Sequence, residues 1–537
     1  MDIVSPVLKK RNNQVSHAAL LVAIGGVFSL LAGLGSQVVT AYLFGAGSEM
    51  DAFFTALTIP LYLQIVLLGG LPFVVIPAFV SEENSGNKDD AWSLIGTFTW
   101  ITIIVLIIVA VAGAIFSYQI ISISAPGFGF EKTQLATQML TILMFSVPFM
   151  GLASFTSGVE NVRERFFWPA AATAVGSIGN FITLLLLHPS LGPMALAWGN
   201  LVSAVLQASI TTIPVLVHGW KKTMSLTDPR LVEMLKLISP FIIFGLITSS
   251  RLLMERYFAS SLPNGQLSFM GYAGKISNIF VILFATSVAS AIFPPMARSY
   301  SQKGIPGLLD QTNYGLRLTF ALALPTVTIL SVLSIPLVRM FFERGAFIES
   351  TTISVSLLIP IVMVNDVLFR MINNMVGRTF FVLKDTLTTN LISSLTILIY
   401  FFSARFLIER MGYYGLALAQ PIQTGSALII MVFLLVRKIR KSFISEIIKS
   451  TAAYFLISLV AAIISWMSLQ LVTSFSSYIQ LGFSLGLSAL VYMVLLFAVD
   501  QDIAVSILEM TGFTKITSII KSRILLKNNI KLPKTGI

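Results

Sequence analysis

The chain has 537 residues, of which 56% are hydrophobic and 11% are charged, and its formal net charge is +12. Soluble globular domains carry roughly 25% charged residues, so this composition excludes a water-soluble protein. The absence of cysteine excludes disulfides, thiolate metal sites, iron-sulfur clusters and cysteine catalysis, and the three histidines are too scattered for a metal cluster.

Apolar segments follow one another along almost the whole chain. A helix satisfies its own backbone hydrogen bonds in lipid, and about 20 residues cross the hydrocarbon core. The sequence therefore predicts an all-α integral membrane protein with about 14 transmembrane helices. We place these spans near residues 18–44, 52–80, 92–116, 134–158, 168–188, 193–217, 237–260, 268–294, 315–341, 351–376, 386–403, 412–436, 449–472 and 477–498.

The distribution of Lys and Arg predicts the topology. Residues 1–17 contain Lys9, Lys10 and Arg11 but no signal-peptide cleavage site, so we expect a cytoplasmic N-terminus. With alternating sides, about 25 of the 35 basic residues fall on the cytoplasmic face, as the positive-inside rule requires. This asymmetry explains the net charge without a nucleic-acid partner and also places the C-terminus in the cytoplasm.

The sequence repeats itself at an offset of about 215 residues. Arg165-Phe166-Phe167, a span and Ala195-Leu196-Ala197 recur as Arg378-Thr379-Phe380-Phe381, a span and Ala417-Leu418-Ala419. The offset corresponds to six spans, an even number, so the two copies have the same orientation and an axis along the membrane normal. The repeat predicts two pseudo-symmetric six-helix bundles that face one another across a cavity.

This repeat gives the predicted domain organisation. The two bundles are followed by two further transmembrane helices and a basic tail, for which an interfacial position on anionic lipid is the simplest interpretation. The predicted parts are the cytoplasmic N-terminus 1–17, the first bundle 18–217, the cytoplasmic linker 218–236, the second bundle 237–436, helices thirteen and fourteen in 449–498, and the cytoplasmic tail 499–537.

Ionisable residues within spans indicate candidate functional positions, because each costs at least about 2.5 kcal/mol near the bilayer centre. Arg251 and Glu255 lie four residues apart on the seventh span and can form a pair. Lys275, on the eighth span, has a similar depth, so we predict a contact with Glu255. Together with Arg256, these cations leave a net positive charge for a phosphate. A purely structural ion-pair network is the alternative.

Three further charged residues belong to predicted spans. Asp366 and Arg370 lie four residues apart in the tenth span, where mutual neutralisation is the simplest interpretation. The alternatives are a pair that changes partners during transport, or uptake of a proton or Na⁺ by Asp366. Asp51 begins the second span on the outer side, where either helix capping or gating would explain a carboxylate.

Several motifs resemble those of the lipid II flippase family MurJ, also called MviN, within the multidrug/oligosaccharidyl-lipid/polysaccharide exporter superfamily. They are Leu43-Phe44-Gly45-Ala46-Gly47 followed by Asp51-Ala52-Phe53-Phe54, then Ala125-Pro126-Gly127-Phe128, Ala195-Leu196-Ala197-Trp198 and Arg344-Gly345-Ala346-Phe347. The likeness covers about residues 18–440. It implies two six-helix bundles plus two C-terminal helices. It also implies movement of an undecaprenyl-pyrophosphate-linked sugar precursor to the outer leaflet by alternating access.

The resemblance also bears on the candidate site. Where the family usually carries cavity arginines, this sequence has Leu30 in the first span and Gln64 in the second, whereas Lys275 keeps the charge in the eighth. The predicted substrate-binding residues are Lys275, Arg251, Arg256 and Gln64, and the predicted gating or ion-pair residues are Asp51, Glu255, Asp366 and Arg370. No catalytic residue and no metal ligand is predicted.

The preferred hypothesis is a transporter, not an enzyme: a lipid II flippase of the bacterial cytoplasmic (inner) membrane. No phosphate-binding loop of the Walker type is present, and no connecting loop has the size of a catalytic domain. We expect no cofactor, and coupling to the membrane potential or to a Na⁺ or H⁺ gradient. The expected partners are the polyprenyl-pyrophosphate-linked glycan, membrane lipids and envelope-synthesis enzymes, with a monomeric protein.

Three other functions stay open at this point. A flippase for a capsule or exopolysaccharide unit would fit the replaced arginines. An ion-coupled multidrug exporter belongs to the same superfamily, although a cationic cavity disfavours cationic drugs. A non-transporting scaffold for envelope synthesis is the third alternative.

Overall fold

A computed structural model of the chain describes residue 26 and residues 28–70, 88–163, 165–217, 229–439 and 444–510. Within these ranges the regular elements are helical. They are α1 (Phe28–Phe44), α2 (Ser48–Leu68), α3 (Lys88–Ile115), α4 (Ser117–Ser124), α5 (Phe130–Met144), α6 (Ser146–Val162), α7 (Phe167–Leu191), α8 (Met194–Val217), α9 (Pro229–Ala259), α10 (Gln266–Val332), α11 (Ser334–Phe342), α12 (Glu349–Met363), α13 (Arg370–Val382), α14 (Thr386–Met411), α15 (Tyr413–Ile439), α16 (Ile444–Leu471), α17 (Ser477–Val499) and α18 (Gln501–Met510).

The predicted fold class is confirmed. Thirteen segments in the described residues are long and apolar enough to cross a membrane, and α1 is a further, shorter apolar helix. Two crossings consist of consecutive helices: α5 with α6, and α12 with α13, which a π-helical turn at Val364–Phe369 connects. The predicted N-terminus 1–17, residues 71–80 of the second span, residues 218–228 of the linker and residues 511–537 of the tail lie outside the described residues.

The connection between the eighth and ninth spans differs from the prediction. The sequence predicts a loop between residues 294 and 315, but α10 continues through this region as a helix that contains both crossings, Gln266–Phe284 and Ile292–Val332. The helix is interrupted at Gly304, whose φ of 64° belongs to the left-handed region that glycine adopts without strain. The polar residues that suggested a loop therefore belong to a kinked helix.

Helix packing follows the predicted repeat. In the first half α6 packs on α8 and α7 packs on α8, and in the second half the corresponding pairs are α13 with α15 and α14 with α15. Helices in lipid gain little from burying apolar surface, so close approach at small residues stabilises such pairs. A Cβ atom at Gly179 would lie 2.2 Å from Leu206 Cδ1 of the neighbouring helix. Glycine at this position therefore allows α7 and α8 to pack closely.

The two halves meet on the predicted outer side through two equivalent loop contacts, which we call the outer seam. The loop between the third and fourth spans contacts the end of α9, where the backbone N–H of Gly127 donates to Ser260 Oγ at 3.0 Å. The loop between the ninth and tenth spans contacts the end of α1, where Ala346 N–H donates to the carbonyl of Tyr42 at 2.9 Å. In each contact, a loop of one half meets the end of the first helix of the other half, as expected for two copies of a parallel repeat.

The outer seam depends on glycine at one position in each loop. A Cβ atom at Gly127 would lie 2.6 Å from the backbone carbon of Ser260, and one at Gly345 would lie 2.4 Å from the carbonyl oxygen of Tyr42. Real Cβ atoms are almost never this close to backbone atoms, so a larger residue would separate the loops.

The helices beyond the repeat attach to the second half. Asp500, at the end of α17, accepts hydrogen bonds from Arg317 of α10 and from Tyr454 of α16. The hydroxyl of Tyr492 donates to the carbonyl of Ala321 at 2.6 Å. Helix α18, at the start of the predicted tail, packs against α17 and α10. These contacts place the thirteenth and fourteenth spans against α10.

Candidate functional site

Three charged side chains near the predicted outer end of α9 form the cationic cluster, which consists of Arg251, Glu255 and Arg256. The carboxylate of Glu255 lies 3.7 Å from Arg251 Nη1 and 3.6 Å from Arg256 Nη1. The predicted pairing of Arg251 with Glu255 is confirmed, since residues four apart share a helix face. Two guanidinium groups around one buried carboxylate leave a net charge of about +1 on the cluster.

The cationic cluster also contacts the first half of the molecule. Arg256 Nε donates a hydrogen bond of 2.8 Å to Thr58 Oγ1 of α2, whereas its Nη1 atom is buried without a hydrogen-bond partner among the described residues. A buried guanidinium nitrogen that lacks an acceptor is energetically costly. An anion placed between the halves would supply that acceptor.

The predicted contact of Lys275 with Glu255 is wrong. Lys275 Nζ instead donates a hydrogen bond to Gln37 Oε1 of α1 and lies 4.8 Å from the ring centre of Phe54 and 5.6 Å from that of Tyr272. Ring faces attract a cation, and Glu255 is already neutralised by two arginines. Lys275 therefore forms a second positive position between the halves, separate from the cationic cluster.

A chain of amide side chains connects the cationic cluster to the tenth span. Gln420 Nε2 of α15 donates to Glu255 Oε2 at 3.0 Å, and Gln420 Oε1 accepts from Asn365 Nδ2 at 3.3 Å. Asn365 Nδ2 also lies 2.9 Å from Asp366 Oδ1. Repacking in α9 can therefore influence Asp366 through hydrogen bonds alone.

Asp366 and Arg370 form the pair that their spacing predicts. Arg370 Nη1 lies 3.0 Å from Asp366 Oδ1, and Ser277 Oγ donates to the other carboxylate oxygen at 2.6 Å. Asp366 belongs to the π-helical turn and is buried, while the Arg370 side chain is 50% exposed. Short π-helical turns are frequent at functional sites and add a residue to the helix. Ser277 has no distinguishing signal in the sequence.

Asp51 caps a helix, but the helix belongs to the other half of the molecule. Its carboxylate accepts from the backbone N–H groups of Gly265 at 2.7 Å and Ser268 at 2.8 Å, at the start of α10, and from Ser268 Oγ at 2.6 Å. It also accepts from Lys132 Nζ at 2.8 Å. Asp51 also lies in the first turn of α2, where the helix dipole favours a carboxylate as expected, but the backbone N–H groups that it caps are those of α10. The hydrogen bonds by which Asp51 caps α10 therefore also join the two halves.

Gln64 lies apart from the other predicted substrate-binding residues. It lines a cavity of about 220 Å³ between α2, α6, α7 and α8 of the first half. The polar residues of this lining are neutral hydroxyl and amide side chains, and we call the site the neutral cavity. They are Gln64, Ser146, Ser154, Ser157, Thr173, Asn200, Ser203, Gln207 and Thr211.

A second cavity of about 220 Å³ is almost wholly apolar, and we call it the apolar groove. Phe280, Phe284 and Pro325 of α10 form one side, and Tyr492 and Met493 of α17 form the other. The groove therefore lies where the fourteenth span packs on the second half.

Other residues of the site escape prediction because they are neutral or peripheral in the sequence. Thr58, Gln420 and Ser277 become significant only through their partners in space, and Lys132 resembles an ordinary outer-loop cation. No group of three or more His, Cys, Asp or Glu residues that could hold a metal ion lies within the described ranges.

Comparison with known proteins identifies similar sequences. The family model described as "Lipid II flippase MurJ" matches residues 40–499. A probable lipid II flippase MurJ of Buchnera aphidicola subsp. Schizaphis graminum is 26% identical over 504 residues, which cover 90% of this chain and 96% of that protein. A lipid II flippase MurJ of Burkholderia cenocepacia is 24% identical over 354 residues, which cover 63% of this chain and 68% of that protein.

Solved structures show the same fold. A lipid II flippase MurJ in an inward closed conformation aligns with a TM-score of 0.76 at 23% identity, over 90% of this chain and 99% of that one. An inward-facing multidrug resistance MATE family transporter of the MOP superfamily aligns with a TM-score of 0.66 at 14% identity, over 80% of this chain and 99% of that one.

Proposed function

Because the chain belongs to the Lipid II flippase MurJ family, whose model matches residues 40–499, we propose that it moves lipid II from the cytoplasmic to the outer leaflet. The protein is a multi-pass transporter of the inner membrane. We propose that both termini are cytoplasmic and that the protein acts as a monomer that contacts envelope-synthesis enzymes. Its substrate is then a polyprenyl-pyrophosphate-linked glycan.

The cationic cluster is the observation that carries this proposal. Arg251 and Arg256 share one carboxylate, and Lys275 adds a positive charge from the neighbouring span. Charged groups are rare inside spans and commonly line substrate pathways. A pyrophosphate that enters between the halves would replace Glu255 as the partner of at least one guanidinium group, in the bidentate geometry that suits arginine.

The outer seam supports alternating access from the cytoplasmic side. Close backbone contacts at Gly127 and Gly345 hold the halves together in the outer seam. Next to the seam, the hydrogen bonds of Asp51 to the start of α10 also join the halves on the predicted outer side. We propose that the head group enters while these contacts are formed and leaves after they separate. The halves would then rock as two bundles about the substrate.

The apolar groove supports a path for the polyprenyl tail. Its lining of Phe280, Phe284, Pro325 and Met493 offers apolar surface beside the second half. A tail in this groove would stay in contact with lipid while the head group crosses between the bundles. The short distance along α10 from Phe280 to Lys275 would keep tail and pyrophosphate on the same helix.

The membrane potential is our proposed energy source. One elementary charge that crosses 100 mV corresponds to about 2.3 kcal/mol, and a potential that is negative inside favours outward movement of an anionic head group. A Na⁺ or H⁺ gradient is the alternative, with Asp366 as the group that would take up the ion. Neither route requires a cofactor.

Reconstitution tests the proposed function. Purified protein would be placed in vesicles with lipid II in the inner leaflet, and the lipid II that reaches the outer leaflet would be labelled over time. We expect transfer that depends on the protein and accelerates with an imposed potential. Vesicles with protein that transfer lipid II no faster than protein-free vesicles would refute the proposal.

A flippase for another polyprenyl-linked oligosaccharide is the second candidate, because Leu30 and Gln64 replace family arginines in the first half. The same vesicles would be loaded with a capsule-type lipid-linked oligosaccharide. Faster transfer of that lipid than of lipid II would favour this candidate.

A further inference from the structure

The neutral cavity has a composition unlike that of the cationic cluster. Nine hydroxyl and amide side chains line it, and none of its lining residues carries a charge. We propose that the neutral cavity binds the carbohydrate part of the transported lipid, while the cationic cluster and Lys275 bind the pyrophosphate. This inference rests on the proposed function and specifies how its substrate is recognised.

The chemistry of the lining suits sugar hydroxyl groups. Each carboxamide offers two donors and an acceptor, and each hydroxyl can donate and accept, so together they match groups that also do both. Among the described residues, the side chains of Gln64, Ser154 and Ser157 have no hydrogen-bond partner. They are therefore available to a polar ligand without the loss of an existing contact.

Other lining residues are positioned by their neighbours. Gln207 Nε2 donates to Ser203 Oγ at 3.0 Å, which fixes the amide plane, and Asn200 Nδ2 donates to the carbonyl of Leu196 at 2.9 Å. A Cβ atom at Gly176 would lie 2.6 Å from Gln207 Cγ, so glycine there provides the room that this side chain occupies. A positioned amide loses less conformational entropy on binding than a free one.

The apolar members of the lining complete the match. Leu57, Met150, Pro169 and Ala172 line the cavity together with the polar side chains. A pyranose ring presents C–H groups on its faces and hydroxyl groups at its edge, and binding sites commonly combine apolar walls with a few oriented polar groups. A metal or organic cation would instead favour carboxylate ligands, which are absent from this lining.

The cavity is close to the cationic cluster through α2. Leu57 lines the cavity, and the next residue, Thr58, accepts the hydrogen bond from Arg256. Gln64 follows seven residues after Leu57, about 10 Å along the helix axis at 1.5 Å per residue. Leu57 and Gln64 share the cavity face of α2, and Thr58 points about 100° around the helix from that face. A sugar joined directly to a pyrophosphate would therefore reach the cavity around this side of α2 while its phosphates contact Arg256.

Binding measurements with two lipids test the inference. The full-length protein in nanodiscs would be titrated with lipid II and with undecaprenyl pyrophosphate, which lacks the carbohydrate. The test variant combines Asn200→Leu with Gln207→Met, substitutions that keep side-chain size but remove amide groups. We expect lipid II affinity to fall roughly tenfold or more, since two hydrogen bonds are lost. Affinity for undecaprenyl pyrophosphate should stay within about twofold.

A matched control separates this effect from damage to the fold. Asn390→Leu removes an amide from a span of the second half, outside the cavity, and should leave both affinities unchanged. Undiminished binding of undecaprenyl pyrophosphate by the test variant would show that it is folded.

The outcomes also distinguish this inference from the proposed function. If wild-type protein prefers lipid II and the test variant keeps that preference, the cavity does not bind carbohydrate and the inference is overturned. If the test variant loses both lipids equally, the cavity has no carbohydrate-specific role, which also overturns the inference. Wild-type protein that binds neither lipid would overturn the proposed function itself.

Discussion

The two halves of the molecule share an architecture but differ in the charges inside their spans. In the described part of the first half, helices α1 to α8 carry Lys, Arg, Asp and Glu only in their first or last turns. In the second half, Lys275, Asp366 and Arg370 lie well within the spans, and Glu255 and Arg251 lie about one and two turns before the end of α9. The repeat therefore preserves helix packing while the chemistry has diverged.

This difference suggests a division of labour between the halves. Each charged group within a span costs a few kcal/mol of insertion free energy. Such groups therefore commonly mark functional sites. A pyrophosphate fits the second half, and the neutral cavity fits the uncharged part of the head group. The outer seam, by contrast, uses equivalent loops from both halves, because closing the outer side requires each bundle equally.

Removing the cations of the second half should have the largest effect. The variant Arg251→Gln with Lys275→Gln should lower the initial rate of lipid II transfer in vesicles roughly 100-fold. Hydrogen bonds to charged groups contribute about 1.5–3 kcal/mol each, and each 1.4 kcal/mol corresponds to tenfold. The matched control is Arg405→Gln, which removes an exposed cation paired with Glu409 and should transfer lipid II at the wild-type rate. Normal transfer by the double variant would break the proposed division of labour.

Substitutions in the outer seam test the symmetry between the halves. Gly127→Ala and Gly345→Ala should each shift the protein toward an outward-open state by about 1–3 kcal/mol, because the new methyl group overlaps backbone atoms. The effect at Gly345 should be larger, since its φ of 58° also strains alanine. Gly129→Ala is the control, because its Cβ would meet no atom within 4 Å.

Spin labels would report this shift. The natural chain contains no cysteine, so Phe130→Cys and Ile348→Cys, both exposed near the outer loops of the two halves, would carry the only labels. The distance between them should lengthen in both glycine variants and stay unchanged in the control. An effect in only one variant would show that the two loop contacts are not equivalent.

Local sequence patterns predict the fold well because the bilayer restricts the choices. Each span must be apolar and about 20 residues long, and Lys and Arg mark the cytoplasmic loops. The pairs Arg251 with Glu255 and Asp366 with Arg370 are also predictable, since a spacing of four places both residues on one helix face.

The partners across the two halves are beyond such reasoning. Lys275 contacts Gln37 instead of Glu255, and the hydrogen bonds of Asp51 go to the start of α10 in the other half. Sequence gives the depth of a residue in the membrane only approximately, and tertiary packing sets the rotation of each helix about its axis. These two unknowns explain both partners. The continuous path of α10 through residues 294–315 was also missed, because its prolines and polar residues are typical of a loop.

The Asp51 interaction tests a contact between the halves that depends on charge. Asp51→Asn keeps an acceptor for α10 but loses the ion pair with Lys132 and the favourable interaction with the helix dipole, together about 1–2 kcal/mol. The same label pair should therefore show a smaller outward shift than in the glycine variants. Glu49→Gln, an exposed carboxylate on the same helix turn, should show none. A shift as large as that of Gly345→Ala would mean that charge dominates the seam.

The smallest effect that we expect concerns the stability of the second half alone. It involves Asp385, in the predicted cytoplasmic loop before α14. Asp385 accepts hydrogen bonds from Lys438 Nζ at 2.5 Å and from the backbone N–H of Thr388 at 3.1 Å. The Lys438 ammonium group holds the pKa of the Asp385 carboxyl below its ordinary value of 3.8. The unfolded state therefore binds more protons between the two pKa values, so this interaction stabilises the folded state fully above about pH 4 and is lost as the pH falls through the folded pKa.

Thermal unfolding in detergent at a series of pH values would measure this contribution. Asp385→Asn should unfold slightly below the wild-type temperature at pH 7, by an amount that corresponds to less than about 1 kcal/mol because Lys438 is partly exposed. The difference should shrink only below about pH 4. Asp310→Asn, another carboxylate on the predicted cytoplasmic side, should match wild type throughout. The difference in unfolding temperature between wild type and Asp385→Asn could instead persist unchanged to the lowest pH. Asp385 would then stabilise the fold through packing and not through its charge. In that case the charges that matter in the second half would be those within its spans.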